Sequence, residues 1–189
     1  MTFLGDLQKS AMKHKYIKKY TIHIMAVPGM KANLLDLPLE QCAFIILTNR
    51  TNDFLDSINN RKLIVDINDV EDQRLPGAFN HAHAHYIIAF LDRLPEEVTD
   101  LYVCCSKGGS RSPACAAALL LMSGRSDKDV WLNPYYYPNH LVFRVLCKEF
   151  GIHMFGLKTL SRRIINYFAF SLAKKRHNPG KYERWQILE

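Results

Sequence analysis

Cys105 and Arg111 are separated by five residues in the run Cys104-Cys105-Ser106-Lys107-Gly108-Gly109-Ser110-Arg111-Ser112. An apolar stretch, residues 100–104, leads into this run as a strand, and an Ala/Leu-rich stretch, residues 113–122, leads out as a helix. Such a strand–loop–helix unit gathers a thiol, a guanidinium and a row of backbone N–H groups around one point. Helix N-termini carry unsatisfied donors and partial positive charge, and they bind anions. Gly108 and Gly109 let the backbone take φ > 0 and approach a ligand closely. Arg111 adds a planar fork that grips two phosphate oxygens at once. The same field favours thiolate over thiol, since a cysteine of ordinary pKa ~8.5 falls to roughly 3.5–7.5 in such surroundings. Cys105 is therefore expected to be an ionised nucleophile at neutral pH. The spacing alone occurs by chance in many chains. Its place at a strand end, with Gly108 inside and Ser112 after, gives it weight.

Cys105, Gly108, Arg111 and Ser112 match the pattern H-C-x-x-G-x-x-R-S/T. On these residues the chain resembles the cysteine-dependent protein tyrosine phosphatase superfamily, in particular its compact dual-specificity-like branch. Low-molecular-weight phosphatases carry their loop near the N-terminus and fit poorly. More closely, the chain is similar to small bacterial tyrosine phosphatases, through Asn68-Asp69 after the preceding strand and Pro138-Asn139 after the loop helix. The resemblance covers about residues 20–150. It implies that Ser106, Lys107, Gly108, Gly109 and Ser110 hold the substrate phosphate. It also implies an aspartate, on the loop after the preceding strand, that protonates the leaving oxygen and later activates water. Asp69 matches the Asn-Asp pattern; Asp72, in a Val70-Glu71-Asp72 context, is the alternative acid. Pro76-Gly77 marks a turn where this loop has the means to move.

The implied reaction has two steps. Cys105 attacks phosphorus while Arg111 and the loop amides hold the developing charge. Water then hydrolyses the phosphocysteine, and the Ser112 hydroxyl helps the thiolate leave. No metal or organic cofactor is required. One departure stands beside the nucleophile: Cys104 occupies the position where the family usually has the histidine that orients the loop and tunes the thiolate. Adjacent cysteines also raise the question of a strained vicinal disulfide or redox partner, against a buried strand residue.

The elements that must position these residues follow from the pattern of the chain. Residues 21–27, 42–47, 62–66 and 100–104 read as strands, the first stopped by Pro28-Gly29. Residues 34–39 read as a short helix or turn, 52–58 as a short helical connection, and 79–94, 127–132 and 140–150 as helices. Leu157, Leu160, Ile164, Ile165, Phe168 and Leu172 recur at helical spacing and predict a packed amphipathic helix, broken at residues 178–180. Strands alternating with helices predict an α/β fold: a central, mostly parallel sheet of four or five strands, flanked by helices in the dual-specificity-phosphatase manner. Cys105 and Asp69 fall just past strand ends, where such folds bind ligands. The expected division is a basic arm, residues 1–20, a phosphatase domain, 21–175, and a tail, 176–189, whose Trp185, Ile187 and Leu188 dock on the domain or on a partner.

Composition narrows the remaining classes. The 189 residues are 48% hydrophobic, which argues against disorder and for one domain. No apolar run is long enough to span a bilayer, and residues 1–20 lack a signal-peptide apolar region. The five cysteines, 42, 104, 105, 115 and 147, show no disulfide-framework spacing, so a reducing cytoplasm is expected. The net charge of +7, with clusters at residues 13–19 and 174–176, suits phosphorylated substrates or a solvated face, and no nucleic-acid module is present. Of His81, His83 and His85, only the outer two share a helix face, with no carboxylate or cysteine at matching spacing, so no metal is expected. Tyr135-Tyr136-Tyr137 either lines a cleft beside the loop or packs with Pro134 and Pro138. The leading activity is phosphomonoester hydrolysis on phosphotyrosine proteins, with phosphoserine and phosphothreonine open. Lys107 suggests instead a highly anionic ester, a phosphoinositide or RNA 5′-phosphate, and Cys104 a weakly active phosphate binder.

Overall fold

The computed structural model describes residues 20–50, 61–152, 156–176 and 186–188. The expectations for residues 1–19, 52–58 and 178–185 lie outside them.

Four strands run parallel: β1 (Thr21–Ala26), β2 (Cys42–Leu47), β3 (Lys62–Val65) and β4 (Asp100–Cys105). A fifth, β5 (Gln186–Leu188), pairs antiparallel with β1, giving the order β3-β2-β4-β1-β5. Leu188 of the expected tail is buried in the core. The alternating apolar residues sort onto two faces, as the strand period requires. Ile22, Ile24, Ala43, Ile45, Leu101, Val103 and Cys105 face the larger core. That face is covered chiefly by α2 (His81–Asp92), α3 (Arg111–Met122), α4 (Lys128–Leu132) and α5 (His140–Glu149). Phe44, Ile46, Tyr102 and Cys104 face a smaller cluster around Met30 of α1 (Val27–Asn33). The α/β architecture expected from the sequence is thus present, with helices on both faces but unevenly shared.

Three local expectations change. The first strand is not simply stopped at Pro28-Gly29: it ends at Ala26, and Pro28 lies in the first turn of α1, where a residue without an N–H costs no helical hydrogen bond. The second helix starts at His81, because Asn80 caps it: its side chain accepts from the His83 amide while its own N–H donates to His83 Nδ1. The largest change concerns α6 (Gly156–Arg176). Leu160, Ile164, Ile165, Phe168 and Leu172 are exposed, and among the described side chains of the helix the buried one is Asn166. Its Nδ2 donates to the carbonyls of Trp131 and Tyr136. Arg162 adds a bidentate bond to buried Asp127, which also accepts from Trp131 Nε1. The helix docks through its polar side, since periodicity reveals that a face is apolar but not what covers it.

His81 and His85 do share a face, and both reach Glu149 of α5, at 2.5 and 3.2 Å. This carboxylate is brought in by packing, not by sequence spacing. Among the described residues no group of three such side chains has metal-binding geometry.

Candidate active site

The parallel register brings strand ends level around one thiol. Ala26 of β1 and Leu47 of β2 are both the register partners of Cys105, the last residue of β4. The chain then turns through residues 106–110 into α3, whose first residue is Arg111. Gly108 makes the turn possible. Its φ is +70°, and a Cβ there would lie 2.8 Å from Ala26 N and 2.9 Å from Met25 C. Both are backbone atoms that cannot give way. Gly109 has no such constraint; an added Cβ would meet only Tyr135 O, at 3.5 Å.

The carbonyls of the loop are turned outward. Gly109 O accepts from Tyr137 N at 2.7 Å, and Ser110 O from Ala114 N and Asn139 N at 3.2 Å. Among the described residues the amides of residues 106–110 donate to no protein acceptor. The Arg111 guanidinium is buried across this loop. Its Nη1 donates to Ile67 O at 2.8 Å and its Nη2 to Ser106 Oγ at 3.1 Å. Its Nε is buried without a hydrogen-bond acceptor, 3.8 Å from Asp69 Oδ2. A buried donor left this way is rare, and a row of free amides beside a cation favours an anionic group. Ser112 Oγ stands 3.1 Å from Cys105 Sγ.

Of the two candidate acids, only Asp69 meets the loop. Asp69 Oδ1 accepts from Ser110 Oγ at 2.8 Å and from Asn139 Nδ2 at 2.9 Å. Asp72 instead takes a fork from Arg74, at 2.7 Å for the closest pair, out in solvent. That partner holds its carboxyl below the usual carboxylate range. The loop that carries both candidates is pinned at its base: Asn68 N donates to Gly77 O and Asn68 Nδ2 to Pro76 O. Pro76-Gly77 is therefore held against the start of the loop in this conformation. Glu71 fastens the outer part, accepting from His140 N at 2.8 Å and from Arg163 Nη2 at 2.9 Å.

Sequence reasoning missed two contributors and left a third without a task. Thr48, just past the end of β2, is buried with its hydroxyl 3.4 Å from Ser106 Oγ. Ile67 offers only a carbonyl, which no side-chain pattern signals. Asn139 had a family likeness but no task, and the structure supplies two. Its Oδ1 caps α5, accepting from Leu141 N and Val142 N, while its Nδ2 donates to Asp69 and to Val70 O. A polar residue before an apolar helical run was the available cap signal.

Cys104 is the buried strand residue of the two readings. It points away from Cys105, into the smaller cluster, with Sγ 3.5 Å from Met30 Sδ. Burial, with Cys105 adding, pushes its thiol far above the ordinary value. None of the five cysteines is joined in a disulfide. Of the three tyrosines, Tyr136 is buried, whereas Tyr135 and Tyr137 are exposed on the segment bonded to Gly109. Lys107 is exposed on the loop.

No family model and no curated protein matches the chain. Two solved structures are similar to it. One is PTPMT1 in complex with PI(5)P, 16% identical, with a TM-score of 0.42 over 81% of this chain and 94% of that one. The other is PTPMT1, 18% identical, with a TM-score of 0.40 over 82% and 95%.

Proposed function

We propose that this chain is a cysteine-dependent phosphomonoester hydrolase. More particularly, we read it as a protein tyrosine phosphatase of dual-specificity type, resembling the small bacterial enzymes and working in a reducing cytoplasm. One observation carries the reading: Cys105, Ser112, Arg111 and Asp69 converge on a strand-end loop whose amides lack protein acceptors. Asn68-Asp69 and Pro138-Asn139, the two pairs behind the bacterial likeness, are far apart in sequence but joined through the Asn139–Asp69 hydrogen bond.

In this mechanism Cys105 Sγ attacks phosphorus, the S–P bond forms and the ester P–O bond breaks. Asp69 gives its proton to the leaving oxygen. The amides of residues 106–110 and the Arg111 guanidinium hold the charge on the phosphoryl oxygens. Water then attacks phosphorus, Asp69 takes a proton from it, and the S–P bond breaks while Ser112 Oγ donates to the departing thiolate. Asp72 is a poor donor, because its salt bridge to Arg74 keeps it ionised. The exposed Lys107 favours a second reading, an ester with additional negative charge such as a phosphoinositide or RNA 5′-phosphate.

Hydrolysis of p-nitrophenyl phosphate by wild type and Cys105→Ser tests the chemistry. Wild-type turnover abolished in the variant is expected; an inert wild type over a broad pH range leaves only a phosphate-binding role. Phosphotyrosine peptides set against phosphoinositides decide the substrate, and a clear preference for the lipid overturns the leading choice.

A further inference from the structure

The helix α6 is turned the opposite way from an ordinary surface helix. Its polar Asn166 is buried and Arg162 reaches buried Asp127. Leu160, Ile164, Tyr167 and Phe168, at i, i+4, i+7 and i+8, form one exposed stripe, with Ile165, Phe170 and Leu172 beside it. Tyr167 is 65% exposed and Phe168 59%, so most of the surface of both residues faces outward. The stripe from 160 to 172 runs about 18 Å. A contiguous apolar stripe of this kind marks an interaction surface.

The charge of the helix indicates what covers it. Residues 156–176 contain Lys158, Arg162, Arg163, Lys174, Lys175 and Arg176 and no acidic residue. Arg162 and Arg163 serve Asp127 and Glu71. The other four bracket the apolar span at its two ends. A second copy of this helix would bring cations against cations in either orientation, on a chain already at +7. An apolar stripe between ends of basic sequence instead fits an anionic lipid surface, with the rings in the headgroup–acyl boundary. Among the described residues no helix is long and apolar enough to cross a membrane, so the contact is with the surface.

We propose that α6 docks the protein on anionic lipid bilayers through Leu160, Ile164, Tyr167 and Phe168. Arg163 lies beside Leu160 and Tyr167 on the helix and bonds Glu71, two residues from Asp69. The docked face therefore adjoins the acid loop.

Cosedimentation of the full chain with phosphatidylserine-containing vesicles, beside vesicles of phosphatidylcholine alone, tests this without any catalytic readout. Cys105→Ser protein serves equally well, so the docking stands or falls apart from the phosphatase reading. Binding to the anionic vesicles is expected, weakened by salt, and at least about tenfold weaker on the neutral ones. The double variant Ile164→Ser/Phe168→Ser should lose at least about tenfold in vesicle affinity with its melting temperature kept. Tyr167→Ser gives a milder version should the double variant unfold, and Lys174→Glu/Lys175→Glu tests the charge separately. Wild type that stays in the supernatant overturns the proposal, as does undiminished binding by these variants. A dimer in analytical ultracentrifugation that Ile164→Ser/Phe168→Ser dissociates would also overturn it, assigning the stripe to a second copy.

Discussion

Asn139 is the residue where structure and proposed chemistry can be separated by mutation. It is 2% exposed and makes four hydrogen bonds from one amide, two by its oxygen to the α5 amides and two by its nitrogen to Asp69 and Val70. Losing the cap costs about 1 kcal/mol. The bond to the Asp69 carboxylate is charge-assisted, but Asp69 is 41% exposed and water partly replaces the donor. Together with the Val70 bond, that side is worth roughly 1–2 kcal/mol. Asn139→Ala should thus lose roughly 2–3 kcal/mol, which for a chain of this size lowers the melting temperature by about 4–12 °C. Asn139→Ser keeps an oxygen for the cap but is too short to reach Asp69, so it should melt between alanine and wild type. Both variants leave Asp69 with Ser110 and Arg111 alone. A carboxyl displaced by about 1 Å loses on the order of 100-fold in proton transfer. The assay is kcat/KM across aryl phosphates of graded leaving-group pKa. The serine variant should lose on the order of 10–100-fold on poor leaving groups and little on good ones, which need no proton. Equal losses across the series, or wild-type rates on the poorest ester, would refute the view that Asn139 positions an acid.

Asp69→Asn should lose on the order of 100-fold or more on a poor leaving group, and Asp72→Asn little; the reverse order in the same assay would reassign the acid. Gly108→Ala adds αL strain of ~1–2 kcal/mol to overpacking of ~1–3 kcal/mol against the β1 backbone. Gly124→Ala, at φ +75° with nothing within 4 Å, adds the strain alone, so urea melts should rank the pair clearly. Burial lowers the pKa of His83 below its ordinary 6.5, and its ring nitrogen accepts the Asn80 N–H. The unfolded chain then binds more protons between 6.5 and the lowered value. Its contribution is therefore present above about pH 6.5, lost as pH falls through the lowered value, and level below it. His83→Gln keeps the capping-box acceptor and should flatten this part of the stability–pH curve. Arg162→Met leaves buried Asp127 with only Trp131 as side-chain donor among the described residues and should cost about 3 kcal/mol in chemical denaturation, with Asp127→Asn restoring part of it.

Local chemistry made much of this protein legible in its sequence. The thiol, the guanidinium and the glycines of residues 105–111 lie in one short segment, and their spacing survives any packing of the rest. Strand positions followed from alternation, because a pleated chain sends successive side chains to opposite faces. The α/β class followed from the order of the elements. What depended on long-range contact was legible only in the tertiary structure. Asp69 and Asp72 are equivalent by composition; one touches Ser110 and Asn139, and the other is captured by Arg74. Cys104 and Cys105 are neighbours in the chain, yet the pleat sends them into different cores. The apolar period of α6 read as burial, but its inward side is anchored by Asn166 and Arg162. A sequence records which side chains share a face, whereas only the packed chain decides which face turns inward, because that depends on the groups waiting across the interface.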